Sequence, residues 1–491
     1  MSLAHKAARG ALWTIISSMG GRAIGVVGTL AMTRFLHPKQ IGEVSDAAII
    51  AMTANWMTIW GFGQYAVVKG RGPDTAEVTF HATVAYMVLG AVSLGLIALF
   101  GGQIAPFFDA PQAAAYIPAM CLALYIRRLG AIPERVLSRT LNFRAAGMAA
   151  ILGELSYTVT ALALAWRGYG GWSIILANIV QSTVVVIILV RASGFASWLT
   201  PTPLKWSRFK DMLKFGLPLG IQGLAHGGSR YWDNLAISHF FGPGPTGAYN
   251  MAYNLADIPA IQIGEQIALV LMPSMAELPQ ERRARALERS TAMLSLIIFP
   301  LAVGLGLIAY PLIDLILPSN EWQLVAPLLT VLACLSVFRP ITWVLSAYME
   351  AESKTNRLMI LEIAKVVLLV LGIIALHRFG VRAAAGAVGV AFGLTAVAGV
   401  AMVMREGPSP RRLLVGFLQP VAACAIMAAV TFGVHEGLVG LGWDHPAVLL
   451  GAMVVAGAGA YVVSALVICR ETSKDLLGQL KRALKRPAPD A

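Results

Sequence analysis

Residues 172–190 read WSIILANIVQSTVVVIILV, a stretch of 19 residues without a charged side chain. As an α-helix it would be roughly 28 Å long at about 1.5 Å per residue, close to the hydrocarbon thickness of a bilayer. Counting this one, fourteen apolar stretches of roughly 20 residues occur along the 491-residue chain, some with one or more charged residues. The others are 11–33, 44–68, 80–100, 113–132, 145–166, 215–239, 248–273, 292–316, 324–347, 358–376, 384–404, 414–434 and 446–468. The sequence therefore predicts an all-α integral membrane protein with about fourteen transmembrane helices.

Lysine and arginine are distributed unevenly between the loops that join these spans. Of 38 such residues, 29 lie on one side of the predicted membrane, counting Arg127 and Arg128 at the edge of the fourth span, 5 lie on the other and 4 lie inside spans. Because positively charged loops stay in the cytoplasm, both termini are predicted to be cytoplasmic. The formal net charge of +13 is then a topology signal that requires no nucleic-acid partner.

The fourth span, 113–132, is the weakest of the fourteen. Only fourteen residues separate Ala113 from the pair Arg127 and Arg128. A span at this position requires both arginines to extend toward the cytoplasmic headgroups. Without this span the charge alternation after it would be reversed, so we expect both side chains at the membrane surface.

The sequence also argues against several classes of protein. Its cysteines lie in or beside apolar stretches without paired spacing, so neither a disulfide framework nor a thiolate metal site is predicted. No Gly-rich loop ending in Gly-Lys-Ser or Gly-Lys-Thr occurs, which argues against direct use of ATP. The predicted outer loops are short, whereas membrane glycosyltransferases and glycan polymerases generally need sizeable extramembrane loops. We expect a protein that is not an enzyme and that has no catalytic residues, cofactor or metal.

Two parts of the chain resemble each other. Phe35-Leu36-His37-Pro38 with Gly42 aligns with Phe240-Phe241-Gly242-Pro243 with Gly247 at an offset of 205 residues, and further matches keep the same order. Six predicted spans separate equivalent positions of the two halves. Because six is an even number, both halves cross the membrane in the same orientation, and the axis that relates them runs along the membrane normal.

The repeat and the spans together predict four regions. A pseudo-two-fold axis would relate two six-helix bundles, followed by two further helices and a basic amphipathic tail suited to lying on anionic lipid. The N-terminal bundle is predicted at 1–200, the C-terminal bundle at 201–408, the two additional transmembrane helices at 409–469 and the cytoplasmic tail at 470–491.

Several short motifs, taken in their order and spacing, resemble one family. They are Ala11-Leu12-Trp13, Thr33-Arg34-Phe35-Leu36-His37-Pro38, Arg139-Thr140-Leu141-Asn142-Phe143-Arg144, Gly168-Tyr169-Gly170-Gly171-Trp172, Asp233-Asn234-Leu235 and Gly247-Ala248-Tyr249. The sequence resembles the multidrug, oligosaccharidyl-lipid and polysaccharide exporter superfamily, in particular its polysaccharide transporter branch of Wzx-type flippases. The resemblance covers roughly residues 8–400.

This resemblance implies two six-helix bundles around a central cavity in a bacterial inner membrane. It implies movement of undecaprenyl-diphosphate-linked oligosaccharides from the cytoplasmic to the periplasmic leaflet by alternating access, for surface polysaccharide biosynthesis. Expected partners are that lipid, other membrane lipids, a coupling ion (H⁺ or Na⁺) and polysaccharide polymerase machinery. A cation-coupled multidrug exporter of the same superfamily is the alternative, although cationic substrates favour acidic cavities.

Arginines inside spans are the candidates for binding a lipid diphosphate, because a guanidinium can hold two phosphate oxygens and keeps its proton. Arg22 lies eleven residues after Ala11 and thus roughly 16 Å into the first span at about 1.5 Å per residue. Arg230 lies in the seventh span, the repeat partner of the first, so the two are predicted to face each other. The superfamily's lipid II flippases likewise use first-helix arginines, which favours Arg22. Arg339 is the third candidate, although it lies near enough to the cytoplasmic end of its span to snorkel.

Acidic residues inside spans form a second set of candidates. A carboxylate in hydrocarbon is costly unless it is paired or protonated, so Glu154, Asp233 and Asp257 are candidates for coupling to H⁺ or Na⁺. The alternative is charge compensation, in which Glu154 pairs with Arg22 and Asp233 neutralises Arg230 on the same helix.

The second span carries a polar and aromatic stripe. Thr53, Trp56, Trp60 and Gln64 follow spacings of three and four residues, which places them on one face of a helix. Sugar rings stack on indole faces, so Trp56, Trp60 and Gln64 are predicted to line the glycan-binding wall, with ordinary helix packing as the alternative.

Overall fold

The computed structural model describes residues 20–21, 23–70, 74–140, 142–259, 264, 271, 275, 278–318, 321–352, 354–404 and 407–485. Regular structure in these ranges is helical, and they contain no strand. Ten helices within them are long and apolar enough to cross a membrane. These ten coincide with the third to sixth and the ninth to fourteenth predicted spans. The all-α membrane class is thus confirmed.

The chain divides into two compact units, Met1–Gly247 and Ala248–Ala491. Helices of the first unit are α1 (Ala23–Met32), α2 (Pro38–Trp56), α3 (Phe62–Lys69), α4 (Thr75–Ile104), α5 (Ala113–Leu129), α6 (Ala131–Arg139), α7 (Phe143–Trp166), α8 (Trp172–Ser193), α9 (Trp206–Phe241) and the start of α10 (Pro243–Pro259). Short 3₁₀ turns lie at Ala105–Phe108 and Phe195–Ser197.

The first unit is held together by apolar contacts of its long helices. α4 and α8 both pack on α5, around buried side chains that include Val44, Ile117 and Ile175. α9 packs against α2, α3 and α4, although the sequence assigns it to the second bundle. The division into two six-helix bundles remains a prediction.

The second unit contains the remainder of α10 and the rest of the described chain. Its further helices are α11 (Gln280–Leu307), α12 (Ala309–Ile316), α13 (Val325–Leu335), α14 (Arg339–Ala351), α15 (Thr355–Leu376), α16 (Val381–Val403), α17 (Pro410–Gly440), α18 (Pro446–Ile468) and α19 (Arg470–Lys485). α11 packs on α13, α14 and α17, with Leu294, Ile298 and Tyr348 buried in one apolar cluster. The predicted tail is α19, which contacts α11 and α18.

Four predicted spans are not among the ten apolar helices. The first begins outside the described residues, and its described part ends as α1 at Met32. The eighth is described as a regular helix only to Pro259, where α10 ends. The seventh is the continuous helix α9, whose polar side chains lower its hydropathy. The total of fourteen stays a prediction.

The second predicted span, 44–68, is wrong as a continuous helix. α2 ends at Trp56 and α3 begins at Phe62, with Gly61 between them at a φ of +62°. Glycine adopts this left-handed conformation without the penalty that a Cβ atom brings. The break separates Thr53 and Trp56 on α2 from Gln64 on α3, so the polar and aromatic stripe does not follow one helix.

The two aligned motifs of the repeat each contain the start of a helix. α2 begins at Pro38 and α10 begins at Pro243, the aligned prolines, in the position where a missing N–H costs a helix nothing. A Cβ atom on Gly42 would overlap the backbone of Pro243, and one on Gly247 would overlap the backbone of Pro38. Equivalent residues therefore meet reciprocally, as they do across a local two-fold axis.

Candidate functional site

In the second unit, two residues that the sequence suggested separately form one buried ion pair. The Arg339 guanidinium contacts the Asp257 carboxylate, and the two residues are only 8% and 6% exposed. Arg339 is the first residue of α14, directly after the 3₁₀ turn Ser336–Phe338, and Asp257 lies on α10. The alternative in which Arg339 extends to the cytoplasmic headgroups is thus wrong. Its side chain is directed into protein because a buried carboxylate lies within reach.

Aromatic rings complete the surroundings of this pair. The Cζ atom of Arg339 lies 5.4 Å from the ring centre of Tyr253 and 5.1 Å from that of Phe392. The Nζ atom of Lys365 lies 5.0 Å from the Phe392 ring centre and 2.7 Å from a carboxylate oxygen of Glu362. One phenyl ring therefore contacts both cations. We call Asp257, Arg339, Glu362 and Lys365 the charge cluster.

The charge cluster balances two cations with two carboxylates. A buried ion pair is costly to break by removing one partner, because the other partner then remains as an uncompensated charge. The Asp257–Arg339 pair can open without leaving a bare charge only if two changes occur together, a proton or a Na⁺ ion on the carboxylate and a competing anion at the guanidinium. The geometry therefore suits exchange of a carboxylate for a phosphate.

In the first unit, Arg230 and Asp233 both lie on α9. Asp233 is fully buried and accepts hydrogen bonds from the Asn234 backbone N–H (2.9 Å) and side-chain amide (3.1 Å). Arg230 is half-buried, with its Cζ atom 5.8 Å from the Tyr231 ring centre. Diphosphate binding by Arg230 and ion coupling by Asp233 stay predictions, as does their mutual charge compensation.

Glu154 of α7 faces the first span. One of its oxygens accepts a hydrogen bond from the Gln181 side-chain amide at 3.0 Å. Its carboxylate also lies against Gly25 of α1, where an added Cβ atom would be 2.5 Å from it. Arg22 lies outside the described residues, so its pairing with Glu154 and its position opposite Arg230 remain predictions.

The predicted glycan wall packs on α9. The Trp56 ring lies 5.6 Å from that of Tyr231 and covers Gly227, and Trp60 lies against Gly216 and Gly220. These contacts are those of ordinary helix packing, the alternative to a glycan-binding wall, because glycines let the indoles approach the α9 backbone. Sugar stacking on the tryptophans stays a proposal.

Gln64, the third member of that wall, lies in the first turn of α3. Its side chain is half-buried, and its Oε1 atom has no hydrogen-bond partner among the described residues. A buried amide oxygen without a donor is costly. The position therefore has an unused acceptor, which a hydroxyl-bearing ligand or water can satisfy.

Arg128 is the residue that sequence reasoning placed wrongly. It is 5% exposed, and its guanidinium donates to the Asn55 side chain (2.8 Å), the Thr58 hydroxyl (2.9 Å) and the Thr58 carbonyl (2.8 Å). Its Cζ atom lies 5.1 Å from the Tyr86 ring centre. Of the pair that was expected at the membrane surface, only Arg127 is exposed. The break between α2 and α3 leaves carbonyls without helix partners, and Arg128 is drawn inward to satisfy one of them.

The environment of Arg128 differs from that of Arg339. Within the part of the chain that the structure describes, no carboxylate pairs with Arg128, and its Nε atom has no hydrogen-bond partner. The sequence signal for buried acceptors of Arg128 was the presence of two polar residues, Asn55 and Thr58, in the second span. The predicted helix continuity hid it, because a continuous helix would have left no carbonyl to satisfy.

Asp46 of α2 is fully buried, although it lies near the predicted outer end of the second span, 44–68, where sequence position alone would place a carboxylate in solvent. The Ser238 hydroxyl of α9 donates to it at 2.5 Å. The close packing of α2 on α9 explains the difference, because the helix end is covered by protein.

We expect Arg128→Gln to lower the free energy of unfolding by about 3 kcal/mol or more, since charge-assisted hydrogen bonds to three oxygens are lost. The measurement is thermal or denaturant unfolding of the detergent-purified protein. Arg127→Gln is the matched control, and its exposed side chain should change stability by less than about 0.5 kcal/mol. Equal stability of the two variants would contradict the assigned position of Arg128.

Comparison with known proteins places this chain in a family. A family described as polysaccharide biosynthesis protein matches residues 31–327. The succinoglycan biosynthesis transport protein ExoT of Rhizobium meliloti (strain 1021) is 26% identical over 327 residues, which are 65% of this chain and 64% of that protein. The lipopolysaccharide biosynthesis protein WzxC of Escherichia coli (strain K12) is 22% identical over 404 residues, 81% of this chain and 79% of WzxC.

The fold also has a solved counterpart. The lipid II flippase MurJ, in an inward closed conformation, matches with a TM-score of 0.75 over 94% of this chain and 99% of that chain, at 14% identity. At this identity the likeness is one of fold alone. This chain spans slightly less than two thirds of the length of ExoT (64%), so the activity of that relative is not carried over by similarity.

Proposed function

The chain belongs to the polysaccharide biosynthesis protein family, within the multidrug, oligosaccharidyl-lipid and polysaccharide exporter superfamily, and on this premise we propose that it is a flippase for a lipid-linked oligosaccharide. The substrate is an undecaprenyl-diphosphate-linked repeat unit. It moves from the cytoplasmic to the periplasmic leaflet of the inner membrane, where it is used for surface polysaccharide biosynthesis. No covalent step is needed.

Buried arginine is the observation that carries the proposal. Arg339 in the second unit and Arg128 in the first are each more than nine-tenths buried in a membrane protein. A guanidinium replaces part of the hydration that a diphosphate loses when it leaves water. Among the described residues Arg128 has only neutral partners, so its charge disfavours a cationic drug and favours an anionic substrate over multidrug export.

Coupling is assigned to the Asp257–Arg339 pair. When the substrate phosphate takes the guanidinium, Asp257 must acquire a proton or a Na⁺ ion, because a bare carboxylate is costly in this site. Release of the phosphate reverses the exchange. Glu154 and Asp233 are the further coupling candidates, and Arg22 and Arg230 the further diphosphate ligands.

The second unit also offers a place for a polyprenyl chain. An apolar groove of about 410 Å³ lies between α11, α17 and α18, and its lining includes Pro300, Ile308, Met427, Met453 and Tyr461. An isoprenoid chain gains free energy by burying its surface in such a groove. The glycan can then occupy hydrated space while the chain stays in apolar surroundings.

Deletion of the gene tests this function. We expect loss of a surface polysaccharide and accumulation of its lipid-linked repeat unit, because polymerisation lacks its substrate at the periplasmic face. Wild type should restore the polymer, whereas Arg22→Ala at equal protein level should not. Normal polymer in the deletion strain, or a changed drug susceptibility as its only phenotype, would contradict the proposal and favour multidrug export.

A further inference from the structure

A second cavity lies in the second unit, apart from the charge cluster. It has a volume of about 810 Å³, and α11 and α19 contribute to its wall. Three arginines of α11, Arg282, Arg285 and Arg289, lie along it, while Met293 and Ile297 continue the same wall. Leu476 of α19 contributes from the other side. Nothing in the transport scheme above uses this cavity.

The α11 wall is ordered along its length. Positions 282, 285, 289, 293 and 297 follow helical spacings of three and four, so they form one stripe. At about 1.5 Å per residue, the stripe extends roughly 22 Å from its first arginine to Ile297. The cationic end comes first and the apolar end follows. The predicted topology places the cationic end at the cytoplasmic surface of the membrane.

The cationic end carries excess positive charge. Arg289 pairs with Asp475 of α19 at 2.9 Å, and both side chains are about half exposed. Within the described residues, no carboxylate pairs with Arg282 or Arg285, and both are exposed. Arg283 does not line the cavity and is held by Glu352 at 2.8 Å. Two guanidinium groups are thus available at the mouth of an otherwise mainly apolar cavity.

We propose that this cavity binds a phosphate-bearing lipid of the cytoplasmic leaflet, with its phosphate on Arg282 and Arg285 and its chain along Met293 and Ile297. The planar guanidinium matches two phosphate oxygens, and the apolar end gains only from a ligand that carries a hydrocarbon chain. Inorganic phosphate supplies the first contact without the second. The inference does not depend on the flippase assignment.

Two lipids share this chemistry, an anionic glycerophospholipid and a polyprenyl phosphate. The basic, amphipathic helix α19 suits the surface of a membrane with anionic headgroups. Its position beside the cavity therefore favours a lipid of that membrane as the ligand. Both lipids present a phosphate at headgroup depth and a chain below it. Their separate addition in the experiment identifies the source.

The test measures lipid binding by the full-length, delipidated protein in detergent. Phosphatidylglycerol, phosphatidylcholine, undecaprenyl phosphate and inorganic phosphate are added separately, and affinity is read by native mass spectrometry and by the shift of the thermal midpoint. We expect wild type to bind one of the two anionic lipids and Arg282→Gln/Arg285→Gln to bind it at least roughly tenfold more weakly, since two charge-assisted contacts are lost.

Two further variants make the result specific. Arg191→Gln/Arg411→Gln removes the same charge at exposed positions outside the cavity and should bind like wild type. Met293→Trp fills the apolar end and should weaken lipid binding while both arginines remain. Stabilisation by phosphatidylglycerol alone identifies a glycerophospholipid, and stabilisation by undecaprenyl phosphate alone identifies the carrier lipid. Unchanged affinity in Arg282→Gln/Arg285→Gln, or equal loss in the Arg191/Arg411 variant, would overturn the proposal.

Discussion

Arg339→Gln is expected to stop transport and to lower the free energy of unfolding by about 3–5 kcal/mol, because Asp257 would remain as an unpaired buried carboxylate. Asp257→Asn should cost a similar amount for the converse reason. The double variant Arg339→Gln/Asp257→Asn should recover much of the stability, since neither charge is then left alone. Unfolding of the purified variants measures all three.

Transport by the double variant distinguishes the two roles of this pair. A purely structural pair predicts that the double variant is both stable and active. The proposed role in phosphate binding and ion coupling predicts a stable but inactive protein, because no guanidinium is left for the phosphate. Lys205→Gln is the control. Its ion pair with Glu77 is solvent-accessible and should contribute less than about 1 kcal/mol.

Gly42→Ala and Gly247→Ala are each expected to destabilise the protein by about 3 kcal/mol or more, at the upper end of what overpacking costs. In both cases the new methyl group would overlap backbone atoms of the opposite helix start, which cannot rotate away as a side chain could. The measurement is the thermal midpoint of the purified protein, together with its expression level in the membrane.

Gly244→Ala is the matched control for this contact. Gly244 lies in the same first turn of α10, and an added Cβ atom meets nothing within 4 Å. Alanine there should be neutral or stabilising by up to about 1 kcal/mol, because it is the better helix former. If Gly42→Ala and Gly244→Ala behave alike, the reciprocal contact of the two helix starts is wrong.

The helix starts were predictable because their signals are local. Pro38 and Pro243 mark the beginning of α2 and α10, and charge-free runs such as 172–190 mark a spanning helix without knowledge of any neighbour. The ten apolar helices follow from such signals. Hydropathy alone therefore predicted most of the described apolar helices, although the ninth span, predicted at 292–316, is the helix Gln280–Leu307 followed by the separate helix α12.

The site required information that is not local. Asp257 and Arg339 lie 82 residues apart in sequence, and nothing in either segment indicates that they meet. Arg128 was assigned to the surface because its span looked short, whereas the unwound residues near Thr58 provide an acceptor inside the protein. That break depends on Gly61 packing against α9, a tertiary contact with no signal in the second span itself.

Movement of the lipid-linked oligosaccharide between leaflets is the measurement that tests the central claim most directly. The purified protein is placed in liposomes with an undecaprenyl-diphosphate-linked oligosaccharide whose sugar carries a fluorophore, and an impermeant quencher reports the leaflet under imposed H⁺ or Na⁺ gradients. We predict that wild type transfers the label from one leaflet to the other and that Arg339→Gln does not. Label that stays in its original leaflet with wild type, as in protein-free liposomes, would contradict the account.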